Sequence, residues 1–216
     1  KQPGEEANEG ASTVSSKKTT KPYLPTGFTQ DKDTTLKNGL TIQDSTGNQY
    51  VWVEVPKAER VYKTAGLEIK DFTDEEYTKI EDDLHTYTDV YRDGTSYKDE
   101  YYSGVGLTSD EYTNLKKTML KSVYQNGGFY VGRYEAGIDT TTGTNRTSEG
   151  PTNSDGKYTI EGMPTPVTKA DAYPYTYVTR TQAQNLARNV NSGTKTSSLM
   201  FGVQWDLVLA FMSKDT

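Results

Sequence analysis

Three helix-start signals and two runs dense in β-branched and aromatic residues predict an α+β fold for this 216-residue chain, with short antiparallel strands and two to four helices. Lys1 to about Pro22 holds only Ala7, Ala11 and Val14 as apolar residues, too few to offset the entropy of ordering, so 1–22 reads as a flexible tail or linker. Order is expected from Tyr23-Leu24-Pro25, and the remainder, 23–216, reads as one domain. Leu40 and Ile42 precede a Gly47-Asn48 turn, and Tyr50-Val-Trp-Val-Glu-Val55 stops at Pro56, which together predict a hairpin. Its second strand puts Val51, Val53 and Val55 on one face and Tyr50, Trp52 and Glu54 on the other.

Capping boxes open the expected helices. Thr73-x-x-Glu76 precedes Tyr77, Ile80 and Leu84 at helical spacing. Thr108-x-x-Glu111 precedes Tyr112, Leu115, Met119 and Val123, and Gly127-Gly128 ends that helix. Thr179-x-x-Gln182 starts another, with Ala183, Leu186, Ala187 and Val190 expected on its apolar face. Phe129 to Glu135 reads as a strand leaving the double glycine, and 138–166 as a loop region rich in Thr, Gly, Asn and Pro. The stretch 203–212 is the most apolar in the chain and suits strand or buried helix equally by pattern.

Charge is unevenly placed. The net −6 contains a local −10 over 68–111, where 14 acids face 4 bases, beside Tyr77, Tyr87, Tyr91, Tyr97, Tyr101 and Tyr102. This acidic, tyrosine-rich part, at about 58–107, reads either as a solvated surface insertion or as a recognition patch, because tyrosine supplies broad and fairly rigid contact area. On the second reading Tyr91, Tyr97, Tyr101 and Tyr102 are the ligand-binding candidates. The acidic balance argues against nucleic acid as a partner. No apolar run is long enough to cross a bilayer, so no membrane insertion by this chain is expected.

Motifs for chemistry are incomplete. With no cysteine and one histidine, His85, there is no disulfide, no thiolate and no two-histidine metal site, and no cofactor is expected. His85 reads as an exposed histidine near a helix end. Gly150 to Gly156-Lys157 has one residue too many for a phosphate loop and Tyr158 where Ser or Thr is required. Asn153-Ser-Asp155-Gly156 has Pro151 and Gly162 at the flanking ligand positions of a calcium loop, so a tight turn is expected instead. Ser192-x-x-Lys195 lacks partner motifs, and Asn145-Arg146-Thr147 is a glycosylation sequon. Asp206 beside Trp205 is the one carboxylate in a strongly apolar context, and reads as a buried acceptor for backbone or for Arg133.

In combination, Tyr50-Val-Trp-Val-Glu-Val-Pro56, Gly127-Gly-Phe-Tyr-Val-Gly-Arg-Tyr-Glu-Ala-Gly137, Pro166-Val-Thr168, the helix with Ala183, Asn185, Leu186 and Ala187, and Ser198-Leu-Met-Phe-Gly-Val-Gln-Trp-Asp-Leu-Val-Leu-Ala-Phe211 resemble the formylglycine-generating-enzyme, or sulfatase-modifying-factor, superfamily. The resemblance covers roughly 50–56 and 108–212. It implies a C-type-lectin-like fold, a helix over 203–212, and Trp52, Tyr130, Arg133, Trp205 and Asp206 as structural core. It also implies a domain incomplete after its Trp-Asp helix, which would leave Trp205, Leu207, Leu209 and Phe211 uncovered, with self-association or completion by a C-terminal remainder. Family enzymes hold copper through cysteines, and this chain has none, so no catalytic residue carries over.

The resemblance therefore implies a non-enzymatic recognition or adhesion domain, extracellular or on a bacterial cell surface, binding carbohydrate or protein, as in phage tropism proteins that use this fold to display ligand contacts, with a pilin-like stalk as one way it is carried. The alternatives are an oxidase of the superfamily whose catalytic half lies beyond residue 216, and a structural minor pilin or phage tail component.

Overall fold

A computed structural model describes residues 5–6, 22–92, 99–104, 106–190 and 195–213. In it β1 (Glu5–Glu6) pairs antiparallel with β2 (Tyr23–Leu24), and the rest of the expected tail lies outside the described residues apart from Pro22. A four-stranded antiparallel sheet follows, in the order β3 (Phe28–Gln30), β4 (Thr41–Asp44), β5 (Gln49–Glu54), β6 (Gly128–Gly132). Helices α1 (Asp74–Tyr87), α2 (Ser109–Asn126), α3 (Arg180–Arg188) and α4 (Gly202–Met212), with the small pair β7 (Gly137–Ile138) and β8 (Tyr173–Pro174), complete a mixed α+β domain.

The expected hairpin is β4–β5. The Asp44 carboxylate closes its turn by accepting from the N–H groups of Thr46 and Asn48 at 2.9 and 3.0 Å. Asn48, buried, then accepts the Thr168 N–H at 2.9 Å through its side-chain oxygen, fastening the 166–168 segment to the turn. The three boxes cap α1, α2 and α3 as expected, each threonine accepting from the third residue on. Gly127 ends α2 with φ +72°, a left-handed conformation that glycine adopts without strain. The next residue starts β6 so close to β5 that a Cβ on Gly128 would lie 2.3 Å from the Val53 carbonyl oxygen. The 203–212 stretch is helical, as the resemblance implied.

Both faces of β5–β6 are packed. On one face Val53, Val55 and Phe129 join Ile80, Leu84, Leu120, Val123, Tyr124 and α4's Val203 and Leu207 in the main core. On the other, Trp52 gathers Leu24, Leu40 and Ile42, with Phe28, Tyr50 and Tyr130 against them. Strand order and side-chain alternation thus give the domain two clusters separated by one sheet.

Three sequence expectations are corrected here. The 58–107 part is not a solvated surface insertion: its Val61, Tyr62, Phe72, Ile80, Leu84 and Leu107 are buried in the main core. Within it the buried Asp83 accepts from the Thr64 N–H and hydroxyl and the Ala65 N–H at 2.8–3.1 Å, so α1 holds the preceding loop by a fully bonded carboxylate. The buried face of α3 is mostly polar, comprising Gln182, Gln184, Asn185 and Leu186, and Val190 lies past its end. The reason is its neighbours: α3 packs on irregular chain, so Gln182 donates to the Thr159 carbonyl at 2.8 Å and Arg180 to that of Glu100 at 3.1 Å. His85 is half-buried, its Nε2 3.7 Å from Glu81 Oε1, because the same carboxylate takes Lys116 from α2 at 3.0 Å and draws the two helices over it.

Two tyrosines in contact, rings 4.8 Å apart, differ in how their hydroxyls are satisfied. Tyr124 donates to the Gly66 carbonyl at 2.8 Å and accepts the Ile69 N–H at 3.2 Å, whereas the buried Tyr62 hydroxyl has no partner among the described residues. Replacing Tyr124 with Phe should destabilise the domain by about 1–2 kcal/mol, and Tyr62→Phe should be neutral or stabilising, measured by urea denaturation.

Burial pushes the Glu81 carboxyl up, but hydrogen bonds from His85 and Lys116 outweigh it and leave its pKa below the ordinary glutamate value. A depressed folded-state pKa adds stability that is present above the unfolded value and lost as the pH falls through the folded one. Acid unfolding should therefore become less steep in Glu81→Gln than in the parent chain; identical pH profiles would count against this clamp.

Candidate functional site

The tyrosines of the acidic part have separate jobs. Tyr101 packs against Tyr112 with rings 5.9 Å apart and donates its hydroxyl to the Leu107 carbonyl at 2.7 Å, anchoring the chain ahead of α2. Tyr102 is 46% exposed, with the Arg180 guanidinium 3.8 Å from its ring centroid. Tyr91 is half-buried and hydrogen-bonds Ser213 at the end of α4. Tyr97 lies outside the described residues, as does the serine of Ser192-x-x-Lys195. Among the described residues no contact joins Tyr91 to Tyr101 or Tyr102.

Of the expected core positions, Trp52 is buried, Tyr130 half-buried and Asp206 buried, but two are corrected. Arg133 is exposed and donates to Gln49 Oε1 at 2.7 Å, because it lies just past β6 where the chain leaves the sheet. Trp205 is 58% exposed: α4 is apolar nearly all round, and it meets the core through Val203, Asp206, Leu207 and Ala210, with Val208 and Phe211 packed at the margin. Leu207, expected uncovered, is therefore buried, while Leu209 and Phe211 are half-buried and Met212 is exposed. Asn153 forms the expected tight turn, its side-chain oxygen accepting the N–H groups of Asp155 and Lys157 at 3.0 and 2.9 Å.

A sizeable concavity lies elsewhere. A groove of about 590 Å³ runs beside β6, walled by the Trp52 cluster, by α2 and by 195–200. That volume suits a ligand. Trp52 and Tyr130 meet edge to face with centroids 5.0 Å apart, and Phe28 and Tyr50 at 5.8 Å. The indole Nε1 of Trp52 and the hydroxyl of Tyr130 are buried and have no partner among the described residues, and burial pushes the Tyr130 hydroxyl pKa up. Hydroxyl and amide groups on Thr118, Ser122, Gln125 and Asn126 form the α2 rim, with Thr196 and Ser197 opposite. Lys121 and Lys195 line it, the Lys195 ammonium 5.3 Å from the Phe28 ring centroid and the Lys121 ammonium 5.0 Å from that of Phe72 outside the groove, and no described lining residue is Asp or Glu.

A second cavity, about 30 Å³, is the size of a single water. Asp99 Oδ2 and Gln184 Oε1, both buried and without a partner among the described residues, belong to side chains that line it. Tyr112 lines it too, its hydroxyl pKa pushed up to about 12 by burial and then by the Asp99 charge. Asp99 Oδ1 accepts the Gly202 N–H at 2.7 Å, which seats the start of α4. Among the described residues no group of three or more His, Asp or Glu is placed to hold a metal, and no helix is long and apolar enough to cross a membrane.

The groove escaped sequence reasoning because its walls come from chain segments more than 150 residues apart. One signal was present: a strand face bearing Tyr50 and Trp52 that is apolar like its opposite face, and so in need of its own cover.

The described residues thus form a mixed α+β domain with four α-helices and short antiparallel strands, carrying an aromatic groove along its sheet edge. Compared with known proteins, it matches no family model, no curated protein and no solved structure.

The two tryptophans report on this arrangement separately, Trp52 being 2% and Trp205 58% exposed. In Trp205→Phe the remaining emission should shift to shorter wavelength and resist acrylamide quenching. Unprotected residual emission would place Trp52 at the surface instead.

Proposed function

We propose that this chain is an extracellular, non-enzymatic recognition or adhesion domain of C-type-lectin-like type, and that the groove beside β6 is where it takes a carbohydrate or protein ligand. The groove's chemistry carries the reading. Its lining consists of half-buried rings, hydroxyls, amides and lysine side chains, which hold a ligand by stacking and hydrogen bonding. The succession of hairpin, capped helix, double-glycine strand, small-residue helix and Trp-Asp helix supports the lectin-like assignment, since it follows the order of the resembled superfamily.

The test is binding to immobilised glycan and peptide arrays. Tyr50→Ala, which opens the aromatic wall, should weaken capture by about tenfold or more with little change in unfolding midpoint. Tyr102→Ala should leave capture unchanged. The reverse pattern would move the site to the acidic, tyrosine-rich part.

One observation favours a structural subunit as a second reading. Trp205, Leu209 and Met212 recur at helical spacing along the outer side of α4, with Trp205 and Met212 exposed. A subunit of an assembly would bury that stripe, and sedimentation of the parent chain against Trp205→Ser distinguishes an associating surface from a merely exposed one.

A further inference from the structure

We propose that the outer edge of β6 accepts an extended, acidic polypeptide strand, so that the ligand completes the sheet by main-chain pairing. This rests on the reading of the groove as the ligand site and narrows that ligand to a peptide.

Hydrogen-bond parity along β6 is the first ground. Arg133 N–H donates to the Gln49 carbonyl, and Val55 N–H to the Gly127 carbonyl, at 2.9 and 2.8 Å. In an antiparallel ladder these bonds fix the alternation: Phe129 and Val131 exchange bonds with β5, while the N–H and C=O of Tyr130 and Gly132 turn outward. β6 is the end strand in the sheet order, so among the described residues no strand meets those groups. Such a row of donors and acceptors is a template for a further strand.

The groove's position is the second. It is lined by 129–132 themselves, and therefore follows the strand edge rather than one face of the sheet. Tyr130 belongs to the Trp52 cluster, whereas Phe129 and Val131 belong to the main core. A strand laid along this edge would send alternate side chains toward the two clusters, which a period-two ligand can satisfy. On the Trp52 side the buried, unpartnered Nε1 is a donor only, and the Tyr130 hydroxyl can donate or accept. A side-chain carboxylate or amide on the added strand supplies the acceptor that Nε1 needs.

Charge is the third. Lys121 and Lys195 line the groove with no Asp or Glu among its described residues, although the chain as a whole is −6. The local field therefore selects an acidic partner.

The experiment uses the full chain, isotopically labelled, against immobilised short peptides of alternating apolar and acidic residues, the same peptides with Lys for the acids, and a glycan array. Acidic peptides should be captured. On saturation the Tyr130 and Gly132 amides should exchange with solvent about tenfold or more slowly, with Phe129 and Val131 unchanged. N-methylation of alternate peptide amides should abolish capture, because it removes ladder donors while leaving side chains intact. Lys195→Glu should weaken the acidic peptides and strengthen the lysine ones. Equal capture of the N-methylated peptides would overturn strand addition. So would a glycan that binds in the groove without protecting Tyr130, and in that case the recognition reading survives. Protection of Tyr130 that grows with protein concentration and no peptide would make the occupant a second copy, against the proposal. Absence of capture on every array would remove both readings together.

Discussion

The pairing of β5 with β6 is the constraint on which the rest of the molecule depends. Five rungs, from Tyr50–Gly132 to Glu54–Gly128, hold two strands far apart in the chain in one register. A slip by one residue would exchange the faces of Trp52 and Val53 and so mix the two apolar clusters. The register is set from outside the strands. Gly127 turns the end of α2 directly into β6, and Gly128 fits against Val53 because it has no side chain. At the other end Thr168 accepts the Tyr134 N–H and returns its hydroxyl to the Tyr134 carbonyl, closing the strand exit at 3.0 and 2.9 Å.

The acidic part illustrates how a strongly charged segment can still be core. Its apolar residues face inward at helical spacing, and its carboxylates sort by position. Asp83 is buried with its oxygens bonded to loop donors, Glu81 bridges to α2 through Lys116, and Glu75 pairs with Lys79 at the surface. The exposed pair contributes little because water screens it, whereas Asp83 organises the loop that carries Val61 and Tyr62. The groove's described lining holds two lysines and no Asp or Glu.

The proposed binding surface and the fold share one strand. Because both faces of β5–β6 are covered, what the sheet leaves open beside β6 is its edge, where backbone groups, aromatic rings and the Lys195 ammonium meet. The outer side of α4 is different in kind, a continuous apolar stripe without polar groups to give direction. Directional chemistry suits ligand selection, and the stripe suits packing.

The sequence by itself determined the main hairpin and the starts of three helices, while its pattern over 203–212 suits strand and helix equally. Capping boxes at Thr73, Thr108 and Thr179 located the helix starts, and Gly127-Gly128 located the helix-to-strand turn, because these signals act over three or four residues. It also placed Tyr50 and Trp52 on one strand face. Tertiary structure decided what covered each face. Periodicity marks a surface as apolar but not its partner, so the acidic part reads as a solvated insertion or a recognition patch while its apolar residues lie in the core, and α3 reads with an apolar face where irregular backbone demands a polar one. The resemblance implies Trp205 both as core and, through an incomplete domain, as uncovered; a cylinder packed on one side leaves it out. The candidate site was illegible for the same reason: an edge exists only once strands have been ordered, and the order β3-β4-β5-β6 is set by contacts between residues some 80 positions apart.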